Sequence, residues 1–237
     1  MSLLSVCQGV AAEVGMGGIP SAIAGSSAPL AVQMKALANR AGKTLAGSFS
    51  WPALMAEFPV DTVSGTADYA LPTDYAGMVS ETAWDATNYW RMRGALTPAE
   101  WQAWKRGIVT PSTVRRFRVR ASRLWIFPTP DVSGDDLIFE YLTNAWVQSG
   151  DVSPTYRTSL AADTDTTRFP EDLLALSLKW RLLEAKGLPY GDAQQEFAAQ
   201  LRREQAYAAP AERINLQINT RGHGQAMPNI PATVPSP

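Results

Sequence analysis

Apolar residues near the N-terminus recur three and four positions apart, and this spacing predicts α-helices. The glycine-rich residues 15–29 are expected to be a flexible connector between two helices, with Ser27 as the N-cap of the second and Pro29 in its first turn. A short helix is predicted over residues 50–58 and is ended by Pro59. The apolar stripes of the first two helices are Leu3, Cys7, Val10 and Val14, and Leu30, Met34, Leu37, Ala41 and Leu45.

The helical period disappears between residues 60 and 150, where segments rich in β-branched and aromatic residues are interrupted by Gly, Pro and Asp. This composition predicts strands in the segments DYALP, GMVSETAW, RRFRVRASRLWIFP and DLIFEYLTNAWV. The last two segments are expected to form a hairpin across the loop TPDVSGDD. One helix interrupts this region, because Thr97, Pro98 and Glu100 supply an N-cap, a first-turn proline and a capping-box partner.

Helical spacing returns near the C-terminus. A helix is predicted from Pro170 to Gly187, since proline is favoured where helices start and glycine where they end. Another helix is predicted from Asp192, with an apolar face made of Ala193, Phe197, Leu201 and Ala208. The last 28 residues contain five prolines and no aromatic residue, so they cannot build a core of their own.

These elements predict an α+β fold. Residues 1–59 and 168–209 are expected to supply the helices of one bundle. Residues 60–167 are expected to form a β-rich insertion that contains an antiparallel hairpin and one short helix. Residues 210–237 are expected to form an extended C-terminal arm.

The composition limits the classes of function. Charged residues make up 18% of the chain, below the roughly 25% of average domains, which leaves neutral surface for partner proteins. The net charge of −1 gives no general attraction to nucleic acid or membranes. With one cysteine and one histidine, neither a zinc site nor a Cys/His or Ser/His nucleophile pair is expected, and no cofactor is predicted.

The first residues lack the basic start of a signal peptide, so synthesis in a host cytoplasm is expected. No apolar run approaches the ~20 residues that span a bilayer, and no membrane partner is expected.

Four short motifs occur in a characteristic order: LPTDY at 71–75, FPTP at 127–130, EY at 140–141 and PEDLL at 170–174. Together with the order of helices and strands over residues 3–210, they make the chain resemble the head-to-tail adaptor, or head-completion, proteins of tailed bacteriophages. That family includes the tail accessory factor of P22-like phages and, more remotely, the tail tubular protein of T7-like phages.

The resemblance implies a structural protein without enzymatic activity, located at the head–tail junction of a virion. It implies a homo-oligomeric ring, usually of twelve copies, docked under the portal protein. Such a ring extends the channel through which genomic dsDNA passes and presents a platform for the next tail component, a nozzle or tail-tube protein. It also implies a C-terminal arm that reaches the portal, whose candidate docking residues are Ile214, Leu216, Ile218, Met227 and Ile230.

A run of basic residues between Glu100 and Asp131, with no acidic residue inside it, is the main candidate surface for binding. In a strand, Arg116, Arg118 and Arg120 would project to one side, because alternate side chains share a face. The sequence leaves three interpretations open for these basic side chains: contacts with neighbouring subunits, contacts with channel DNA, and pairing within the protomer. Strong phosphate contacts in many copies would stall DNA passage, which favours subunit contacts. The candidate set is Lys105, Arg106, Arg115, Arg116, Arg118, Arg120 and Arg123.

The aromatic residues divide into two groups. Trp101 and Trp104 lie three positions apart and are expected to be buried on one face of their helix. Trp84, Tyr89 and Trp90 lie in a polar stretch and are predicted to lie at an interface, where Trp and Tyr are enriched.

Two other functions compete with an adaptor. A hydrolase of the bacterial envelope would need paired carboxylates, for which Asp163, Asp165, Glu171 and Asp172 are the nearest cluster. Helix-start and loop positions explain these four residues without catalysis. A nucleic-acid-binding module would use the arginine-rich strand.

Overall fold

The computed structural model describes residues 2–18, 20–107 and 114–208. Within these ranges, the helices are α1 (Leu3–Glu13), α2 (Pro29–Ser48), α3 (Pro98–Arg106), α4 (Glu171–Ala185) and α5 (Gly191–Ala208). The longer strands are β1 (Met55–Asp61), β2 (Asp68–Ala70), β3 (Tyr75–Met78), β6 (Arg116–Arg120), β7 (Arg123–Phe127) and β8 (Asp136–Thr143). The two-residue strands are β4 (Trp84–Asp85), β5 (Trp90–Arg91), β9 (Val147–Gln148), β10 (Tyr156–Arg157) and β11 (Thr166–Thr167). The predicted α+β class is confirmed.

Helices α1, α2, α4 and α5 pack into one bundle around α4, as the periodicity predicts. Helix α4 buries Leu173, Leu174, Leu178 and Leu182 against the apolar stripes of its neighbours. The apolar face predicted for α5 packs on the same core. Sequence periodicity therefore located the bundle helices, and Pro170 and Gly187 correctly marked the two ends of α4.

The bundle core is completed by residues from the β-rich region. The Trp146 side chain is fully buried and its ring stacks on Phe169 at 5.7 Å between centroids. A Cβ atom on Gly42 of α2 would lie 2.1 Å from the Trp146 ring. Only glycine at this position therefore lets the indole pack directly against the helix backbone.

Two antiparallel sheets bury their inner faces in a second core. Sheet A has the strand order β1-β8-β4-β5, and β3 also pairs with β8. Sheet B has the order β2-β7-β6. Because the two inner faces share one core, the two outer faces point away from each other. The residues of this core are Val60, Leu71, Ala83, Met92, Phe117, Leu124, Ile126, Leu137, Phe139 and Tyr141.

The helix predicted over 50–58 is wrong for most of its length. A single 3₁₀ turn, Pro52–Leu54, precedes strand β1, which pairs with β8 over seven residue pairs. Phe58 opposes Phe139 in this register, so burial of the apolar side of β1 outweighs the local helical pattern. Pro59 is accommodated because β1 is an edge strand.

The hairpin predicted across residues 129–136 is also wrong, because β7 lies in sheet B and β8 in sheet A. The arginine-rich segment instead forms its own hairpin, β6–β7, which turns at Ala121 and Ser122. These two residues have φ values of 50° and 55°, in the left-handed region. This tight turn contains no glycine, so the sequence gives no local signal for it.

The segment expected to be a flexible connector is anchored instead. Ile23 is fully buried in the bundle core. The backbone N–H groups of Ile23 and Ala24 donate to Oδ1 of Asp163 at 2.9 and 2.7 Å. A carboxylate 140 positions away thus holds the connector, which local composition could not reveal.

Candidate assembly surfaces

Helix α3 lies across the outer face of sheet B. It starts with the predicted capping box, in which Thr97 and Glu100 exchange side-chain and backbone hydrogen bonds. The ring of Trp101 meets Phe127 edge-on at 6.4 Å, and Trp104 stacks under the Arg116 guanidinium at 3.3 Å. These aromatic contacts fix the helix over the β6–β7 hairpin.

A small cleft of about 160 Å³ opens between α3 and this hairpin; we call it the basic cleft. Helix α3 contributes Lys105 and Arg106, and β6 contributes Arg118 and Arg120. Trp125 forms part of its wall, with the Arg120 guanidinium 5.1 Å from the ring. None of the four cations has an acidic partner among the described residues. Uncompensated cations gathered in one cleft are suited to binding anionic groups.

Two other basic candidates form ion pairs within the protomer. Arg115 is buried between the sheets, where it pairs with Asp135 and, at 3.1 Å, with Asp85. Arg123 pairs with Asp68 at 2.5 Å across the β2–β7 strand pair. For these side chains, the alternative of pairing inside the protomer is the one that the structure supports.

Arg116 is buried beneath α3 rather than available to a partner. Burial lowers the pKa of its guanidinium, and the nearby positive charge of Arg93 lowers it further. The predicted alternation along β6 is confirmed, since Phe117 and Val119 pack on the inner core. Arg115 lies two positions before Phe117 and therefore shares the inner side of the strand with it. Alternation was thus the signal that could have placed Arg115 inside.

The aromatic candidates lie on the β4–β5 hairpin. Tyr89 is 86% exposed and Trp90 is 50% exposed, whereas Trp84 is half-buried on the outer face of sheet A. This placement suits the predicted interface role, which stays a prediction.

Sequence reasoning missed the outer face of sheet A. In the β1–β8 register, Glu57 opposes Glu140 and Asp61 opposes Asp136. We call these four residues the acidic face. None of the four carboxylates has a cationic partner among the described residues. The surface was missed because it exists only once residues about eighty positions apart are paired.

The carboxylates considered for hydrolysis have structural roles. Asp163 holds the connector, and Oδ2 of the fully buried Asp165 accepts hydrogen bonds from the N–H groups of Ala161 and Ala162. Glu171 and Asp172 lie in the first turn of α4, where negative charge is favourable. This arrangement resembles no acid–base pair around a cleft.

Within the described ranges, no cluster of His, Cys, Asp and Glu is suited to holding a metal ion. None of the helices in the same ranges combines the length and apolar character needed to cross a membrane. The predicted portal-docking residues of the arm, from Ile214 to Ile230, lie outside the described residues.

The family model of the SU10 adaptor protein matches residues 1–230, nearly the whole chain. The chain belongs to the SU10 adaptor protein family. Membership places this adaptor among the structural head–tail proteins of bacteriophages, in agreement with the resemblance drawn from its motifs. Comparison with curated proteins finds no significant match.

Proposed function

We propose that this SU10-family adaptor forms a ring of twelve copies under the portal protein, extends the DNA channel and carries the next tail component. The match to the adaptor family over residues 1–230 is the observation that carries the proposal. The four shared motifs support a relationship to the tail accessory factor of P22-like phages, and more remotely to the T7-like tail tubular protein. Docking without bond-making chemistry is sufficient for this role.

The physical basis of the proposal is that binding surfaces are built on a rigid scaffold. The bundle and the two-sheet region each have a buried core, so the outer faces are held in place without a partner. The C-terminal arm, through Ile214, Leu216 and Ile218, is proposed to add a strand to a sheet edge of the portal.

The test is assembly with the portal. Purified adaptor is mixed with the portal protein of the same phage, and the products are examined by native mass spectrometry and negative-stain electron microscopy. We expect a ring of adaptor subunits on one end of the portal. A triple change of Ile214, Leu216 and Ile218 to Asp is expected to abolish docking, whereas the same change at the intervening Asn215, Gln217 and Asn219 is expected to weaken it less. Failure of the unchanged adaptor to bind any portal ring would refute the function.

A further inference from the structure

We infer that neighbouring copies of this adaptor bind each other by placing the acidic face of one copy against the basic cleft of the next. The inference rests on the proposed ring and names the surfaces that close it. A ring needs two different, complementary patches on every protomer, because each subunit meets one neighbour with each patch.

The acidic face is unfavourable in the isolated protomer. Glu57 lies directly opposite Glu140, and Asp61 directly opposite Asp136, on adjacent strands. Like charges in directly opposed cross-strand positions repel each other. The described residues supply no cation that offsets this repulsion, so a cationic surface on a partner would relieve it.

An apolar row separates the two acidic pairs. Pro59, Ile138 and Trp84 lie side by side on β1, β8 and β4, on the outer side of the sheet. Their exposed or half-buried surfaces provide area for contact, and tryptophan is a frequent hot spot in protein interfaces. The neighbouring cation on this side, Arg91, is paired with Glu81 at 3.0 Å. An apolar centre with a charged rim is the usual anatomy of a protein–protein interface.

The basic cleft has the opposite character. Arg118 and Arg120 present planar guanidinium groups that match the geometry of carboxylates, and Lys105 and Arg106 add charge from α3. The volume of about 160 Å³ accommodates carboxylate side chains. Trp101 and Trp125 in the wall lower the local dielectric, which strengthens the ion pairs formed there.

The placement of the two surfaces fits a head-to-tail contact. The acidic face is the outer side of sheet A, and the basic cleft lies on the outer side of sheet B. Since both sheets bury their inner sides in one core, the two surfaces face away from each other across the β region. A subunit can therefore contact one neighbour on each side.

Channel DNA is the other anionic candidate for the basic cleft. Two observations favour a second copy of the chain. An acidic surface without a described partner exists on the same polypeptide, and a net charge of −1 gives no attraction to DNA beyond the cleft itself. Phosphate binding repeated in every subunit would also resist passage of the genome.

Charge reversal tests the contact. A cleft variant, R118E/R120E, and a face variant, E57K/E140K, are each mixed with portal, and ring formation is measured by native mass spectrometry. We expect each variant alone to lose at least tenfold in ring yield. An equimolar mixture of the two variants should assemble, because every contact in an alternating ring again joins opposite charges. A chain carrying all four substitutions should also assemble.

A matched control reverses two exposed lysines of the bundle, K43E/K186E, which changes the net charge by the same amount as the cleft variant. We expect this control to assemble like the unchanged protein, and a tenfold loss in it would overturn the inference. Circular dichroism of every variant is measured to check that the substitutions leave it folded.

The outcomes separate this inference from the proposed function. Absence of a ring with the unchanged adaptor refutes the function. Normal ring formation by both reversed variants overturns only the interface. Loss of assembly in the cleft variant that neither the mixture nor the fourfold variant restores also overturns it. In that case, DNA or portal is the partner of the cleft, and a salt-dependent DNA affinity that falls in R118E/R120E identifies DNA.

Discussion

Arg115 and Arg120 both belong to the basic run, but from the structure we expect substitutions at the two positions to change the stability of the protein by different amounts. The Arg115 side chain is 9% exposed and pairs with Asp85, which is 2% exposed, and with Asp135. Arg120 is exposed at the end of β6. Replacing each by methionine retains most of the aliphatic volume and removes the charge, so R115M and R120M form a matched pair.

The expected loss of stability in R115M follows from the buried carboxylate of Asp85, which stays in place without its cationic partner. Removing one partner of a buried ion pair costs about 3–5 kcal/mol, because the other charge stays buried without compensation. Asp85 keeps hydrogen bonds from the backbone N–H and the side-chain amide of Asn88 at 3.0 and 3.1 Å. We therefore expect R115M to lose about 3 kcal/mol, the lower end of that range. For R120M, the expected change lies within about 0.5 kcal/mol, as at other surface positions.

The assay is urea unfolding followed by tryptophan fluorescence and circular dichroism. With an m-value of about 2 kcal/mol/M, the R115M midpoint should fall by about 1.5 M, and the R120M midpoint should move by less than about 0.3 M. Equal midpoints for the two variants would refute the argument that Arg115 stabilises the β region through a buried ion pair.

Two further predictions concern the helical bundle. G42A should lose about 1–3 kcal/mol, because the added methyl group would overlap the buried Trp146 ring. G9A, in open space on α1, should gain about 0.5–1 kcal/mol, and identical urea midpoints for the two would contradict this. Burial raises the pKa of the Cys7 thiol to about 12, so at pH 8 the thiol is protonated and should react with a thiol reagent only after unfolding. Rapid labelling of the native protein at pH 8 would contradict that prediction.

The amino-acid sequence by itself determined the elements whose signals are local. The helices α2 and α4 and the capping box of α3 follow from spacings of three and four residues and from caps within one turn. The division of β6 into an apolar inner side and a basic outer side follows from the simple alternation of apolar and basic residues. In each case, the interacting positions lie within a few residues, so a single segment carries the information.

Tertiary structure alone decided which of the candidate residues are available to partners. Strand β1 exists because β8, about eighty positions away, supplies its hydrogen bonds and its apolar partners. The same pairing creates the acidic face, and the packing of two sheets buries Arg115 beside Asp85. The energies of these contacts depend on distances between remote segments, and no local pattern of residues encodes those distances.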